Sequence, residues 1–291
     1  MRSMARISLP PTGLVLLSIA SMHCGAAFAK LLFPQVGAAG MVLMRVGFAA
    51  LILFALRRPQ WTPQIQAHLR TLASFGIVLA LMNLAFYASL DRIPLGIAAT
   101  LEFTGPLGLA ALRSKRWLEA LWVALAAIGV VLLAPIGDFT LDIWGIAFAL
   151  IAGFFLALYI VLSAQVGQVI PGIDGLFWAM AIAALLLAPI GIASAGNALL
   201  QPHLLAVGLG VAVLSSTVPY SLELMALRSI PINTFGVLRS LEPMSAAIAG
   251  FLVLGEALTL RTLSAIVLIS LAAAGASRFQ SRSNQVPATD P

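Results

Sequence analysis

Six ionisable side chains stand inside long apolar stretches of this 291-residue chain: Lys30, Arg45, Glu102, Glu223, Arg239 and Glu242. An ionised group at the centre of a bilayer costs about 2.5–3.5 kcal/mol on insertion scales, so each one needs a partner or a wet cavity. Three are cationic and three anionic. Such a balance suits internal pairing, and it equally suits a zwitterion entering between the two sets of charges.

The positions differ in what they allow. Lys30 stands near the end of its stretch, where the ammonium can snorkel to the interface or turn inward. Arg45 lies too deep for that escape and is the better binding candidate. Glu102 has Thr104 close by and Pro106 four residues on, so its carboxylate sits beside backbone that proline makes irregular. Arg239 and Glu242, three apart on one helical face, can pair with each other. Glu223 has Arg228 near it to neutralise it, and Tyr220 one turn earlier on its face. Uncharged candidates are Asn83 and Tyr87, spaced i,i+4, and Ser215, Ser216 and Thr217 before Pro219, although hydroxyls also serve to bridge packed helices. His23 and Cys24 read as packing residues.

Some chemistry is excluded. No histidine, cysteine or carboxylate set has metal-ligand spacing, so no metal or other cofactor is expected. No phosphate-cradling glycine loop or nucleophile elbow occurs, which rules out an ATP-driven pump within this chain. A membrane-embedded enzyme would need a general base or nucleophile with an orienting partner, and no such constellation is visible.

The elements that must position these residues follow from composition. Hydrophobic residues make up 61% of the chain and charged residues 9%, with a mean hydropathy of +1.06. Soluble domains carry about 25% charged residues, so this surface must face lipid. The single cysteine makes no intrachain bridge, which excludes a disulfide scaffold. The net charge of +6 comes without any basic run longer than the Arg113–Arg116 cluster, so it marks cytoplasmic loops rather than a nucleic-acid partner.

A bilayer core about 30 Å thick needs roughly 20 apolar residues per helical crossing. Ten such segments are predicted, at 12–33, 37–56, 71–90, 94–112, 118–137, 143–166, 172–194, 203–225, 232–254 and 259–277. Turn chemistry separates them, as at Pro34 with Gly37, Pro59 with Pro63, Pro94 with Gly96 and Pro231 with Asn233. With a cytoplasmic N-terminus, eleven basic residues fall on the inside and only Arg92 and Arg261 outside, which places both termini in the cytoplasm. Reading the first span as a cleaved leader would leave nine spans and break the arrangement that follows.

Sliding the chain by 137 residues brings Leu90, Ile93, Pro94, Leu101, Pro106 and Ala110 onto Leu227, Ile230, Pro231, Leu238, Pro243 and Ala247. The paired prolines carry the argument. Pro106 and Pro243 are predicted helix breaks near mid-membrane, where freed backbone groups must meet protein or a wet cavity. The expected organisation is therefore an all-α polytopic membrane protein with ten helices in two five-helix repeats, residues 1–137 and 138–279, and a disordered cytoplasmic tail at 280–291. Five is odd, so the repeats insert with opposite orientation, a signature of secondary transporters.

The run Pro94-Leu-Gly-Ile-Ala-Ala-Thr-Leu-Glu-Phe-Thr-Gly-Pro-Leu107 closely resembles the small amino-acid exporters of the EamA type in the drug/metabolite transporter superfamily. Ala29-Lys-Leu-Leu-Phe-Pro34, Pro219-Tyr-Ser-Leu-Glu-Leu-Met-Ala-Leu227, Thr234-Phe-Gly236, Leu241-Glu-Pro243 and Gly255-Glu-Ala-Leu-Thr259 extend the resemblance over residues 12 to 277. It implies two inverted repeats around a central cavity and export of small amino acids such as threonine and homoserine. Export would cross the bacterial inner membrane by alternating access, driven by the proton motive force. The implied partners are the amino-acid substrate, protons and the lipid bilayer, and a homodimer is compatible with such a fold. Lys30, Arg45, Glu102, Tyr220, Glu223 and Glu242 match the family pattern, whereas Arg239 stands where an uncharged residue is expected. On this reading Arg45 with Lys30 receives the substrate carboxylate, and Glu102 receives the ammonium group or carries the coupling proton. Aromatic amino acids or drug-like amines are alternative cargoes, and a passive channel is separable by its lack of saturable counterflow.

Overall fold

A computed structural model describes residues 10–113, 117–133, 141–170, 174–227, 229–230 and 232–283, and among them every regular element is helical. The chain runs α1 (Pro11–Leu31), α2 (Phe33–Arg57), a short α3 (Pro63–Ala67), α4 (Leu69–Leu90), α5 (Leu95–Glu102), α6 (Thr104–Arg113) and α7 (Trp117–Leu133). It continues through α8 (Ile143–Val169), α9 (Asp174–Ala195), a 3-10 turn (Gly196–Leu200), α10 (Pro202–Ala212), a π segment (Val213–Thr217) and α11 (Val218–Leu227). The remaining helices are α12 (Ile232–Arg239), α13 (Glu242–Leu254) and α14 (Leu260–Ser283), the last extending past the predicted end at 279.

Seven helical stretches are long and apolar enough to cross a membrane: Pro11–Leu31, Phe33–Leu56, Leu69–Leu90, Ile143–Val169, Asp174–Leu200, Pro202–Glu223 and Thr234–Leu254. Three shorter apolar stretches accompany them, Leu95–Leu109, Ala124–Leu133 and Leu260–Gly275. Large apolar side chains such as Leu51, Trp144, Phe154, Leu185 and Leu252 point outward, as a lipid-facing surface requires.

Three of the predicted spans are not continuous α-helices. The segment at 94–112 is split at Phe103 into α5 and α6, that at 232–254 at Ser240 and Leu241 into α12 and α13, and that at 203–225 carries the π segment. The cause is proline, but the breaks fall upstream of the ring. A proline lacks the N–H that would meet the carbonyl four residues back and clashes with that carbonyl, yet it fits the first turn of a helix. Pro106 and Pro243 accordingly sit in the first turns of α6 and α13.

α2 packs against α9, α4 against α8, α7 against α14, α1 against α11 and α5 against α13. Small residues set the spacing where α8 passes the α5–α6 break: a Cβ on Gly153 would come within 2.6 Å of the Glu102 carbonyl oxygen. Gly37 supplies the one non-helical position inside α2, at φ 70° and ψ 162°. A side chain there would be strained and would also strike the Ser194 hydroxyl.

Candidate functional site

Three mid-span prolines determine which backbone carbonyls lose their helical donor. Counting back four residues from Pro106, Pro219 and Pro243 gives Glu102, Ser215 and Arg239. Of these, the Ser215 carbonyl meets Arg45, while the Glu102 carbonyl packs against Gly153 of α8.

Arg45 lies at the centre of one cluster. Its guanidinium donates to Asn83 Oδ1 at 2.9 Å, to the Tyr87 hydroxyl at 3.5 Å and to the Ser215 carbonyl at 3.4 Å, and stands 5.5 Å above the Tyr87 ring. The i,i+4 spacing puts both α4 partners on one face, as predicted. Asn83 is itself oriented, because its amide nitrogen donates to the Leu79 carbonyl at 2.9 Å. The Ser215 carbonyl is available because Pro219 has no N–H to offer it. Ser215 uses its own hydroxyl on the Val211 carbonyl at 2.7 Å, and Ser21 donates to the Leu214 carbonyl at 2.7 Å, so the π segment is stitched to α1 and α2 through its main chain.

Arg239 organises a second cluster. It donates to both Glu223 oxygens at 3.2 Å and lies 2.6 Å from Glu242 Oε1, an i,i+3 ion pair. Ser18 on α1 also donates to Glu223 Oε1, at 3.0 Å. The predicted Arg239–Glu242 pairing is present, but Glu223 finds its cation in Arg239 rather than in Arg228, which lies outside the described residues. Tyr220 falls on α11, and its side chain is also outside the described set.

Lys30 takes up neither expected position. Its ammonium binds Glu256 at 2.8 Å and the Ile93 carbonyl at 2.9 Å, so it is held at the start of α5 and away from Arg45's cluster. Its partner is a carboxylate far away in the chain, a pairing that no local spacing gives. Glu256 was not among the predicted site residues, and neither was Ser18.

Glu102 ends α5 at the helix break. Among the described residues its carboxylate makes no hydrogen bond or ion pair, while Arg45, Arg239 and Glu242 lie close enough to act on it through space. Thr104 turns away, its hydroxyl donating to the Leu101 carbonyl at 2.6 Å. The arrangement thus brings two cationic centres and one uncommitted carboxylate together around broken helices, a set able to receive a zwitterion.

Comparison with known proteins decides the family. Residues 143–278 match the EamA-like transporter family. The chain is 42% identical over 267 residues to the threonine/homoserine exporter RhtA of Escherichia coli (strain K12), spanning 90% of each chain. It is 40% identical over 283 residues to the protein of the same name from Salmonella typhimurium (strain SL1344), spanning 96% of this chain and 95% of the relative.

The chain belongs to the EamA-like transporter family.

As an EamA-type transporter it is a multi-pass membrane protein and not an enzyme. A solved crystal structure, 14% identical, superposes over 94% of this chain and 99% of its own with a TM-score of 0.56, a likeness of fold alone. The EamA-type residues that sequence reading missed share one property. Ser18, Ile93 and Glu256 reach their partners across 63 to 226 residues of chain, beyond the range of any spacing rule. The Gly255-Glu-Ala-Leu-Thr259 motif was the available signal for Glu256.

Proposed function

We propose that this chain is a secondary active exporter of threonine, homoserine and similar small amino acids across the bacterial inner membrane. Ten helices would form two inverted five-helix repeats that expose a central site to each side in turn, with both termini in the cytoplasm and outward movement coupled to protons. The seven long apolar stretches and the three shorter ones are consistent with ten crossings. The names of the relatives support the substrate class.

The observation that carries this reading is Glu102. A carboxylate without a protein partner among the described residues, at a helix break and within reach of Arg45 and Arg239, is suited to an ammonium group or a proton. Arg45, fixed by Asn83, Tyr87 and the Ser215 carbonyl, is suited to the substrate carboxylate, because a guanidinium recognises that planar anion with two parallel donors. A substrate held by both would lie between α2 and α5 of the first repeat, and the second repeat would reach the Arg45 end through the Ser215 carbonyl.

Reconstituted protein in vesicles preloaded with unlabelled threonine should accumulate external labelled threonine by counterflow that saturates. Homoserine should compete, and phenylalanine should not. Absence of threonine counterflow alongside uptake of another amino acid would overturn the substrate assignment, and non-saturable flux would overturn the carrier mechanism.

A further inference from the structure

The two repeats are packed unequally. Under the inverted-repeat reading just given, on which this inference rests, α1 corresponds to α8, α5 to α12, α6 to α13 and α7 to α14. The α7–α14 contact is symmetric under that exchange, and α13 packs on α1 as α6 packs on α8. Among the packings between repeats that lack a counterpart, the most extensive is that of α5 on α13. α5 packs on α13 so closely that a Cβ on Gly96 would come within 2.7 Å of Ala247, whereas among the described residues no comparable packing joins α12 to α6. One end of the molecule is therefore drawn together and the other is not.

The drawn-together end carries a polar clamp. Glu256, in the connection after α13, accepts from the backbone N–H of Leu95 at 2.8 Å through one oxygen and from Lys30 at 2.8 Å through the other. Lys30 in turn donates to the Ile93 carbonyl. A single carboxylate thus ties α1, the first turn of α5 and the second repeat together, at the positive end of the α5 dipole. Its side chain is 12% exposed and that of Lys30 is 22% exposed. Gly255, in the left-handed conformation at φ 67°, turns the chain that delivers it. The offset of 137 residues that relates the two proline pairs also superposes Glu119-Ala120-Leu121 on Glu256-Ala257-Leu258. The first repeat therefore holds a glutamate at the related position in sequence, although the Glu119 side chain is outside the described residues.

We propose that Glu256 is the latch of the extracytoplasmic gate, holding α5 against α13 through Leu95 and Lys30 while the outward path is shut. The latch releases when α5 moves off α13 to let substrate leave. Lys30 is then a gate residue, not a ligand for the substrate carboxylate.

The test is accessibility without substrate. Cys24, the one cysteine, is replaced by alanine, and Ala99→Cys is introduced one turn beyond Gly96, where the native side chain is 5% exposed. A membrane-impermeant maleimide is then applied to the outer face of intact cells. Glu256→Gln should raise the labelling rate about tenfold, the ratio that one charge-assisted hydrogen bond sustains. Lys30→Met, which leaves the carboxylate on the Leu95 N–H, should raise it less. A second reporter, Ala179→Cys on α9, should stay unlabelled in both variants; if it reacts in Glu256→Gln, the fold has loosened and Lys30→Met decides. Outside labelling of Ala99→Cys within twofold of the parent in the folded variants would overturn the latch, as would a rise only for reagent on the cytoplasmic side. Because no amino acid is present, failed threonine counterflow with the expected labelling would refute the substrate and leave the gate standing.

Discussion

Arg45 depends for its orientation on Asn83 far more than on the Tyr87 hydroxyl, and the two distances make that dependence measurable. Asn83, 6% exposed, accepts from the guanidinium at 2.9 Å, whereas the Tyr87 hydroxyl is 3.5 Å away, at the outer limit of a hydrogen bond. Asn83→Leu keeps the branching and the number of side-chain heavy atoms and removes the acceptor. A hydrogen bond to a charged group contributes about 1.5–3 kcal/mol net, and about 1.4 kcal/mol is a factor of ten in binding, so the half-saturation concentration for threonine should rise roughly ten- to hundredfold. Tyr87→Phe keeps the ring 5.5 Å beneath the cation and should change it by about threefold or less. The assay is threonine counterflow in vesicles at matched protein content. Equal losses in the two variants, or an unaffected Asn83→Leu, would refute the assignment of Arg45 as an oriented carboxylate ligand.

Glu102→Gln keeps the side-chain shape and loses the switchable charge, so efflux driven by an imposed pH gradient should fail while threonine–threonine counterflow persists; unchanged driven efflux would remove Glu102 as the coupling site. Arg239→Leu strands Glu223 and Glu242, and because the arginine side chain is 31% exposed, the 3–5 kcal/mol for breaking a buried pair is discounted to about 1–3 kcal/mol. Its thermal unfolding in detergent should move down by several degrees, and Glu223→Gln in the same chain should recover part of the loss. A reporter active only outside the cytoplasm, fused after Ser277, should be silent; a strong signal would overturn the cytoplasmic C-terminus.

The parts of the site that sequence could show are those governed by local geometry. Helical spacing places Asn83 with Tyr87 and Arg239 with Glu242, and the lack of an N–H at Pro219 leaves a free carbonyl at Ser215, which Arg45 uses. Break positions were less exact, because proline marks the first turn after a break and not the break itself: the chain departs from helix at Phe103 and at Ser240, three residues before each ring. The ion-pair partners of Glu223 and Lys30 were not legible for another reason. Their partners, Arg239 and Glu256, are chosen by how helices far apart in the chain come together, so the nearest opposite charge in sequence was a poor guide.

The carbonyls that Pro106, Pro219 and Pro243 deprive of a helical donor belong to the main chain, and this bears on how the lining can evolve. No substitution at Glu102, Ser215 or Arg239 deletes a carbonyl, so an alanine scan is blind to this part of the site. Replacement of Pro219, which restores an N–H where the chain stays helical, would quench the Ser215 acceptor, whereas Pro106 and Pro243 sit in first turns where an N–H has no intrahelical partner. Side chains around such a scaffold can diversify while the acceptors persist. Cargo preference can then drift among descendants of one ancestor without passing through an intermediate that has lost its polar lining.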